Sequence, residues 1–322
     1  MHRAQALLAT RNSQLYKMSE SSPLVTVGVC TYKRPEGIAK CLRSLIDQQT
    51  SIPFDIVVTE NDASQGSKAV IEQIADEAKE KGIEIRYYCE PEPNIAIARN
   101  RCVTECRGEF LAFIDDDEWA EPDWLEKLVE VQREYNADAV WGSVIQHYEP
   151  DFPEYLKNLS DINGLFQEGQ KLESVSTNST MYRYSLLQTR EGPFDKSWGR
   201  TGGEDSDLAF YLFQKKNALM IKTFKAEVHE ANPPSRATIM YYWKRCYRES
   251  MVAARLFDKY YFRLMGLKVN GIHVLTAISS LLFRLLLLPF SPRRSFISIG
   301  LSVATIMGTV GYYLGFDNFK YN

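Results

Sequence analysis

Glu109-Phe-Leu-Ala-Phe-Ile114, followed at once by Asp115-Asp-Asp117-Glu118, is the stretch that decides the fold. The apolar run reads as a strand buried on both faces. Four acids directly after it repel one another and do nothing for folding. A single aspartate there would need only a turn or a helix N-cap to explain it. Four in a row at the end of a buried strand point instead to a divalent cation with a phosphate partner. A hard cation such as Mg2+ or Mn2+ takes one or two carboxylates and fills its shell with phosphate oxygens.

Working upstream, strand and helix signals alternate. Leu24 to Thr31 is rich in β-branched residues and reads as a buried strand. Pro35 opens a helix to about Gln49, with Ile38, Leu42, Leu45 and Ile46 on one face. Phe54 to Thr59 is a second strand, closed by Glu60-Asn-Asp62. Lys68 to Lys81 is a helix stopped by Gly82, Ile83 to Cys89 a strand, and Ile95 to about Cys106 a helix. After the acid run a helix follows, with Pro122 near its first turn. Leu219 to Lys225 reads as a further strand. Such alternation predicts an α/β fold, a doubly wound and mostly parallel sheet flanked by helices, with ligands at the carboxyl ends of the strands.

The 322 residues carry 38 Lys plus Arg against 41 Asp plus Glu, a net charge of -3. That balance excludes a nucleic-acid binder that relies on a uniformly basic surface. The six cysteines are scattered; Cys102 and Cys106 would share a helical face, but with four histidines, none near them, a zinc site is not expected. Reduced thiols in the cytosol are the plain expectation. Residues 1–22 are polar and show no secretory signal pattern.

Ser295 to Phe316 contains no Asp, Glu, Lys or Arg, and as a helix would span roughly 30 Å. Val269 to Phe290 is nearly as apolar, interrupted by His273 and Arg284, and Pro289, Pro292, Arg293 and Arg294 separate the two. Basic residues upstream, from Lys244 to Lys268, suit a cytoplasmic surface facing anionic lipid. Membrane association is expected, whether by one span, two spans or an interfacial hairpin. The domain reading is a polar segment (1–22), a catalytic domain (23–236), a basic and aromatic helical segment (237–268) and membrane-associating helices (269–322).

Several motifs occur in one order: Thr31-Tyr-Lys-Arg-Pro35, Glu60-Asn-Asp62, Asn94-Ile-Ala-Ile-Ala-Arg-Asn100, Asp115-Asp-Asp117 and Gly203-Glu-Asp205. Together, over about residues 24 to 250, they resemble the family-two glycosyltransferases of the GT-A fold, and among these the enzymes of bacterial exopolysaccharide assembly. The resemblance implies that Thr31, Tyr32, Arg34, Glu60 and Asp62 hold the nucleoside of a sugar donor, with Asn94, Arg99, Asp115 and Asp116 bordering the same pocket. Glu60 stands where the family commonly has Asp. By the same likeness Asp117 is the main metal ligand, with Asp115 beside it and His229 as a further candidate. Asp205 is the catalytic base, with Glu204 its nearest rival. Arg236, with Trp243, Lys244 and Arg245, is placed near a diphosphate, and Trp198 near an acceptor sugar.

The resemblance thus implies an inverting transferase using Mg2+ or Mn2+. It would move a sugar, from a UDP-sugar, to a lipid-linked oligosaccharide or polysaccharide at the cytoplasmic face of a membrane, with other assembly enzymes as neighbours. A polyprenyl-phosphate sugar synthase and a non-catalytic nucleotide-sugar-binding scaffold are the alternatives. A nucleotidyltransferase is disfavoured, because the loop after the first strand has no glycine with which to grip a triphosphate.

Overall fold

A computed structural model describes residues 22–157, 159, 163–199, 201–261, 263–287 and 292–316. The polar segment before residue 22 and the Pro289 break lie outside them. One mixed sheet runs in the order β3-β2-β1-β4-β8-β6-β9-β5, with β7 beside β9. Its strands are β1 (Val25–Thr31), β2 (Phe54–Glu60), β3 (Ile85–Cys89), β4 (Phe110–Asp115), β5 (Glu118–Ala120), β6 (Ala139–Tyr148), β7 (Lys171–Leu172), β8 (Thr180–Arg183) and β9 (Met220–Asn232). The helices are α1 (Pro35–Ile46), α2 (Lys68–Glu80), α3 (Ile95–Thr104), α4 (Trp124–Tyr135), α5 (Glu154–Lys157), α6 (Tyr184–Leu187), α7 (Glu204–Lys216), α8 (Ile239–Tyr260), α9 (Arg263–Leu287) and α10 (Pro292–Tyr313).

β1 lies between β2 and β4, parallel to both. Because successive side chains alternate across a strand, Val25, Val27 and Val29 face a core with Ile38, Leu42 and Leu45 of α1, whereas Val57, Leu111 and Phe113 face Cys102, Leu208 and Leu212 on the other side. Both faces are covered, which is why these strands read as predominantly apolar runs, with Thr26, Asp55 and Thr59 as buried exceptions. The register pairs Thr31 with Glu60 and Cys30 with Asp115, so three strands end level and deliver their polar residues to one edge. The sheet is mostly parallel as expected, with antiparallel pairing beyond β4, where β8 pairs with both β4 and β6. A short strand, β5, also comes between the acid run and α4. Helix α3 stops at Thr104, so Cys106 does not share its face with Cys102, and all six cysteines are free thiols.

Lys222 of β9 is fully buried; its ammonium donates to the Gly142 carbonyl and lies 4.4 Å from the Trp141 ring centroid. Burial pushes its pKa down from 10.5 to about 8, with Glu168 opposing. Between those two values the unfolded chain binds the proton and the folded chain does not, so stability rises with pH through that window and the burial cost is complete below it. Lys222→Met is therefore expected to stabilise the fold at pH 7 by about 1–4 kcal/mol, with the gain shrinking toward pH 10.5. Urea unfolding at several pH values checks this.

Helix α8, capped by Thr238 Oγ1 accepting from the Tyr241 N–H at 3.2 Å, joins the tail to the body. Phe210 of α7 packs edge-on to Phe257 and stacks on Tyr260. In turn α10 lies along α8, with Ala304 buried against Tyr247 and Met251, and the Tyr312 hydroxyl donates to Asp258 at 3.1 Å. Phe296–Tyr313 is long and apolar enough to cross a membrane, yet 33% of it is buried, and α8 beneath it is charged. Ile272, Leu275, Leu282 and Phe283 of α9 and Phe296 and Met307 of α10 are exposed. The boundary expected at residue 268 falls inside α9, which runs through it without a break.

Candidate active site

The acid loop is fixed first by backbone fit. A Cβ on Gly37 would sit 2.8 Å from the Asp116 carbonyl, so only glycine lets α1 and the loop close to this distance. Asp116 is buried and accepts from Thr31 Oγ1 at 2.7 Å and Arg34 at 2.8 Å. Burial raises its pKa, with Arg34 opposing. Asp117 is more open and receives Arg34 at 2.9 Å and Arg236 at 3.3 Å on the same oxygen. Burial works against the charge on both arginines. It is outweighed for Arg34 by Asp116 and Asp117, and for Arg236 by Glu230. Glu118 lies beneath the loop, buried, and accepts from the Asp115 N–H at 3.1 Å; burial pushes its carboxyl well up, and Asp115 adds to the rise.

Arg99 connects this loop to the start of α7. Its guanidinium, 9% exposed, donates to Glu204 and lies 3.5 Å from Asp115. The second Glu204 oxygen is buried without a partner among the described residues. Burial pushes the Glu204 carboxyl up to about 7, with Arg99 pulling down and Asp205 pushing further up. Asp205 accepts only from the Ser206 N–H and hydroxyl of its own helix and makes no ion pair among the described residues. The adjacent acids therefore differ in kind: Glu204 is a buried structural partner, and Asp205 is the carboxylate left accessible.

At the end of β2, both Glu60 oxygens are already occupied, by the Ser67 N–H and the Tyr87 hydroxyl, each at 2.8 Å. Asn61 ties β3 to α3 by donating to the Glu90 and Glu92 carbonyls and accepting from the Asn94 N–H at 2.7 Å. Asn94 caps α3, accepting from Ala96 at 3.1 Å, and donates to the Lys196 carbonyl. Glu60, Asn94 and Asp116 thus frame the cleft. Tyr32, 45% exposed, and Asp62 stand at its rim, where Ser64 lowers the Asp62 pKa.

His229 is not brought to Asp117. Alternation along β9 sends Glu230 to Arg236 and the loop, whereas His229 turns to the other face. There it stacks on Trp119, bonds His147 at 2.8 Å and meets Glu121. Trp198 is fully buried with Arg255 lying over its ring at 3.7 Å, so the guanidinium occupies the face on which a sugar would stack. Glu118, already part of the acid run, pairs in register with Glu230, which the sequence analysis did not single out; its place one residue after His229, on the alternate face of the strand, carried the signal. Among the described residues no group of three ligands could hold a metal. Asp115 and Asp117 still fit one, as two hard, half-buried carboxylates at the end of β4 that leave the remaining shell to phosphate.

Fold and site together define an α/β enzyme with a carboxylate- and arginine-lined cleft at its strand ends. The sequence profile of "Glycosyl transferase family 2" matches residues 26–190, just over half of the chain. The succinoglycan biosynthesis protein ExoM of Rhizobium meliloti (strain 1021) is 35% identical over 239 residues, covering 72% of this chain and 74% of its own. The chain belongs to glycosyl transferase family 2 and is a glycosyltransferase of glycan biosynthesis. A glucosyl-dolichyl phosphate glucuronosyltransferase of Haloferax volcanii is 28% identical over 220 residues, covering 64% of this chain and 68% of that one. The mannosyltransferase PcManGT of Pyrobaculum calidifontis, solved with GDP-Man and Mn2+, superposes with a TM-score of 0.58 at 16% identity over 98% and 96% of the two chains, a likeness of fold alone.

Proposed function

We propose that this chain is an inverting glycosyltransferase that moves a sugar from a nucleotide donor, a UDP-sugar, to a lipid-linked oligosaccharide or polysaccharide. The observation that carries this reading is the Arg99 bridge, which sets the acid loop and the accessible Asp205 on one cleft. Tyr32 stacks on the base, with Asp62 close by, and Thr31, Glu60, Asn94 and Asp116 hold the loops in place. Arg34 and Arg236, drawn to Asp117 here, are the cations within reach of a diphosphate. Asp117 and Asp115 would hold Mg2+ or Mn2+, which neutralises charge developing on the departing nucleotide. Asp205 takes the proton from the acceptor hydroxyl as that oxygen attacks the anomeric carbon opposite the leaving group.

The succinoglycan relative supports a glycan acceptor, and the dolichyl phosphate relative a lipid carrier. The exposed apolar side chains of α9 and α10 support attachment to a membrane, and the basic residues from Lys244 to Lys268 suit its cytoplasmic face. The packing of α10 on charged α8 favours a hairpin lying in the interface over a span. Residues 23–236 then form the catalytic unit, and the helices after them the attachment.

Chelation is the direct test of the metal. Transfer by the purified full chain is expected to fall to background in EDTA and return with added Mn2+. Asp117→Ala should lower transfer by about 10²-fold or more. Undiminished turnover in EDTA would remove the metal from the scheme.

A further inference from the structure

A cavity of 430 Å³ lies outside the donor cleft, between the loop that precedes Glu204 and the helices α8 and α10. That volume falls in the range that holds a small polar ligand. One wall is Trp198 and Thr201, beside the base motif; a Cβ on Gly203 would sit 3.1 Å from Trp198 and 2.5 Å from Val252 of α8. The opposite wall is Tyr312, on the helix that carries the exposed apolar face. The cavity therefore lies beside the loop that leads into the catalytic motif and touches the attachment hairpin through Tyr312.

Its chemistry is cationic and incompletely satisfied. Lys259 nearby is neutralised by Asp195 at 3.1 Å and Asp207 at 2.6 Å. Arg255, which lines the cavity, forms no ion pair among the described residues; it donates to the Ser197 hydroxyl at 2.9 Å and the Ser197 carbonyl at 3.4 Å and stacks on Trp198. The fully buried Trp198 indole N–H has no partner among the described residues. A planar guanidinium held open by a hydroxyl and an aromatic ring suits a phosphate, which it can grip through two donors.

We propose that this cavity seats the phosphate or diphosphate group joining the acceptor glycan to its lipid carrier. The lipid would leave along α10 and the first sugar would lie toward Asp205. The inference rests on the lipid-linked acceptor reading above and adds the place where the headgroup is held.

The test uses the full chain in detergent with farnesyl diphosphate, farnesol and inorganic diphosphate as probes, followed by tryptophan fluorescence. Farnesyl diphosphate is expected to bind, and Arg255→Gln to weaken it about tenfold or more, the usual worth of a charged phosphate contact. Farnesol and inorganic diphosphate should each bind more weakly than the intact probe. Thr201→Val, which leaves the guanidinium in place, should weaken it less. UDP binding, read in parallel, is the control for folding and for the donor site. Equal farnesyl diphosphate affinity in wild type and Arg255→Gln, with UDP still bound, would overturn the headgroup site alone. Inorganic diphosphate binding as tightly as the lipid would make this a free-anion site and overturn the lipid assignment. Absence of UDP binding by the wild type, with farnesyl diphosphate still held through Arg255, would instead sink the UDP-sugar donor reading and leave the headgroup site standing.

Discussion

Asp205→Asn is expected to lower sugar transfer by about 10²–10⁴-fold, the usual contribution of a positioned general base, while UDP-sugar binding is unchanged. The substitution keeps size and hydrogen-bonding shape, and the side chain makes no ion pair among the described residues, so little in the fold depends on its charge. Its neighbour provides the contrast. Glu204→Gln removes the charge that Arg99 faces at a buried position, so that variant should lose stability as well as activity. Transfer kinetics together with thermal melts separate the two acids. Full turnover in Asp205→Asn would transfer the base role elsewhere.

The largest effect on stability is expected at Arg99. Replacing it with Met leaves Glu204 as an uncompensated buried carboxylate with both oxygens unpaired and Asp115 without its cation. Breaking a buried pair from one side costs about 3–5 kcal/mol, whereas replacing both partners with apolar groups is often neutral. Arg99→Met should therefore unfold at markedly lower denaturant, and Arg99→Met with Glu204→Leu should recover most of the loss. A single variant as stable as wild type, or a double variant no better than the single, would show that the pair is not a structural clasp. Neither variant should transfer sugar normally, because the loop and α7 would lose their shared tie.

Much of this arrangement is legible in the chain. The buried parallel strands β1, β2 and β4 announce themselves as apolar runs, and each is followed by the polar residues that the sheet then delivers to one edge. The strands that escaped are β5, β6, β7 and β8: β5, β7 and β8 have three, two and four residues, too few for any periodicity to register, whereas β6 has ten but its apolar run is broken by Gly142-Ser143, where the register shifts. At the site, residue types were readable and partnerships were not. Arg99 and Glu204 stand 105 positions apart, and nothing local in either tells the other's place. His229 could have been separated from Asp117 by counting, since Glu230 occupies the alternate face of the same strand. The tail reads as membrane-seeking on composition alone. Its packing on α8 is written more quietly, in Gly308 and Gly311 facing the Tyr247 backbone and ring.

Gly203 has a mechanical consequence. At φ +99 it brings the backbone just ahead of Glu204 and Asp205 directly against Val252, with no side chain between them. A cushion of side chains would absorb small shifts of α8 by changing rotamer. Here a displacement of that helix is transmitted undamped to the two acids. The helices beyond residue 236 are therefore part of the mounting of the base. A truncation that frees the catalytic body from its hairpin would loosen the alignment of the acids along with the attachment.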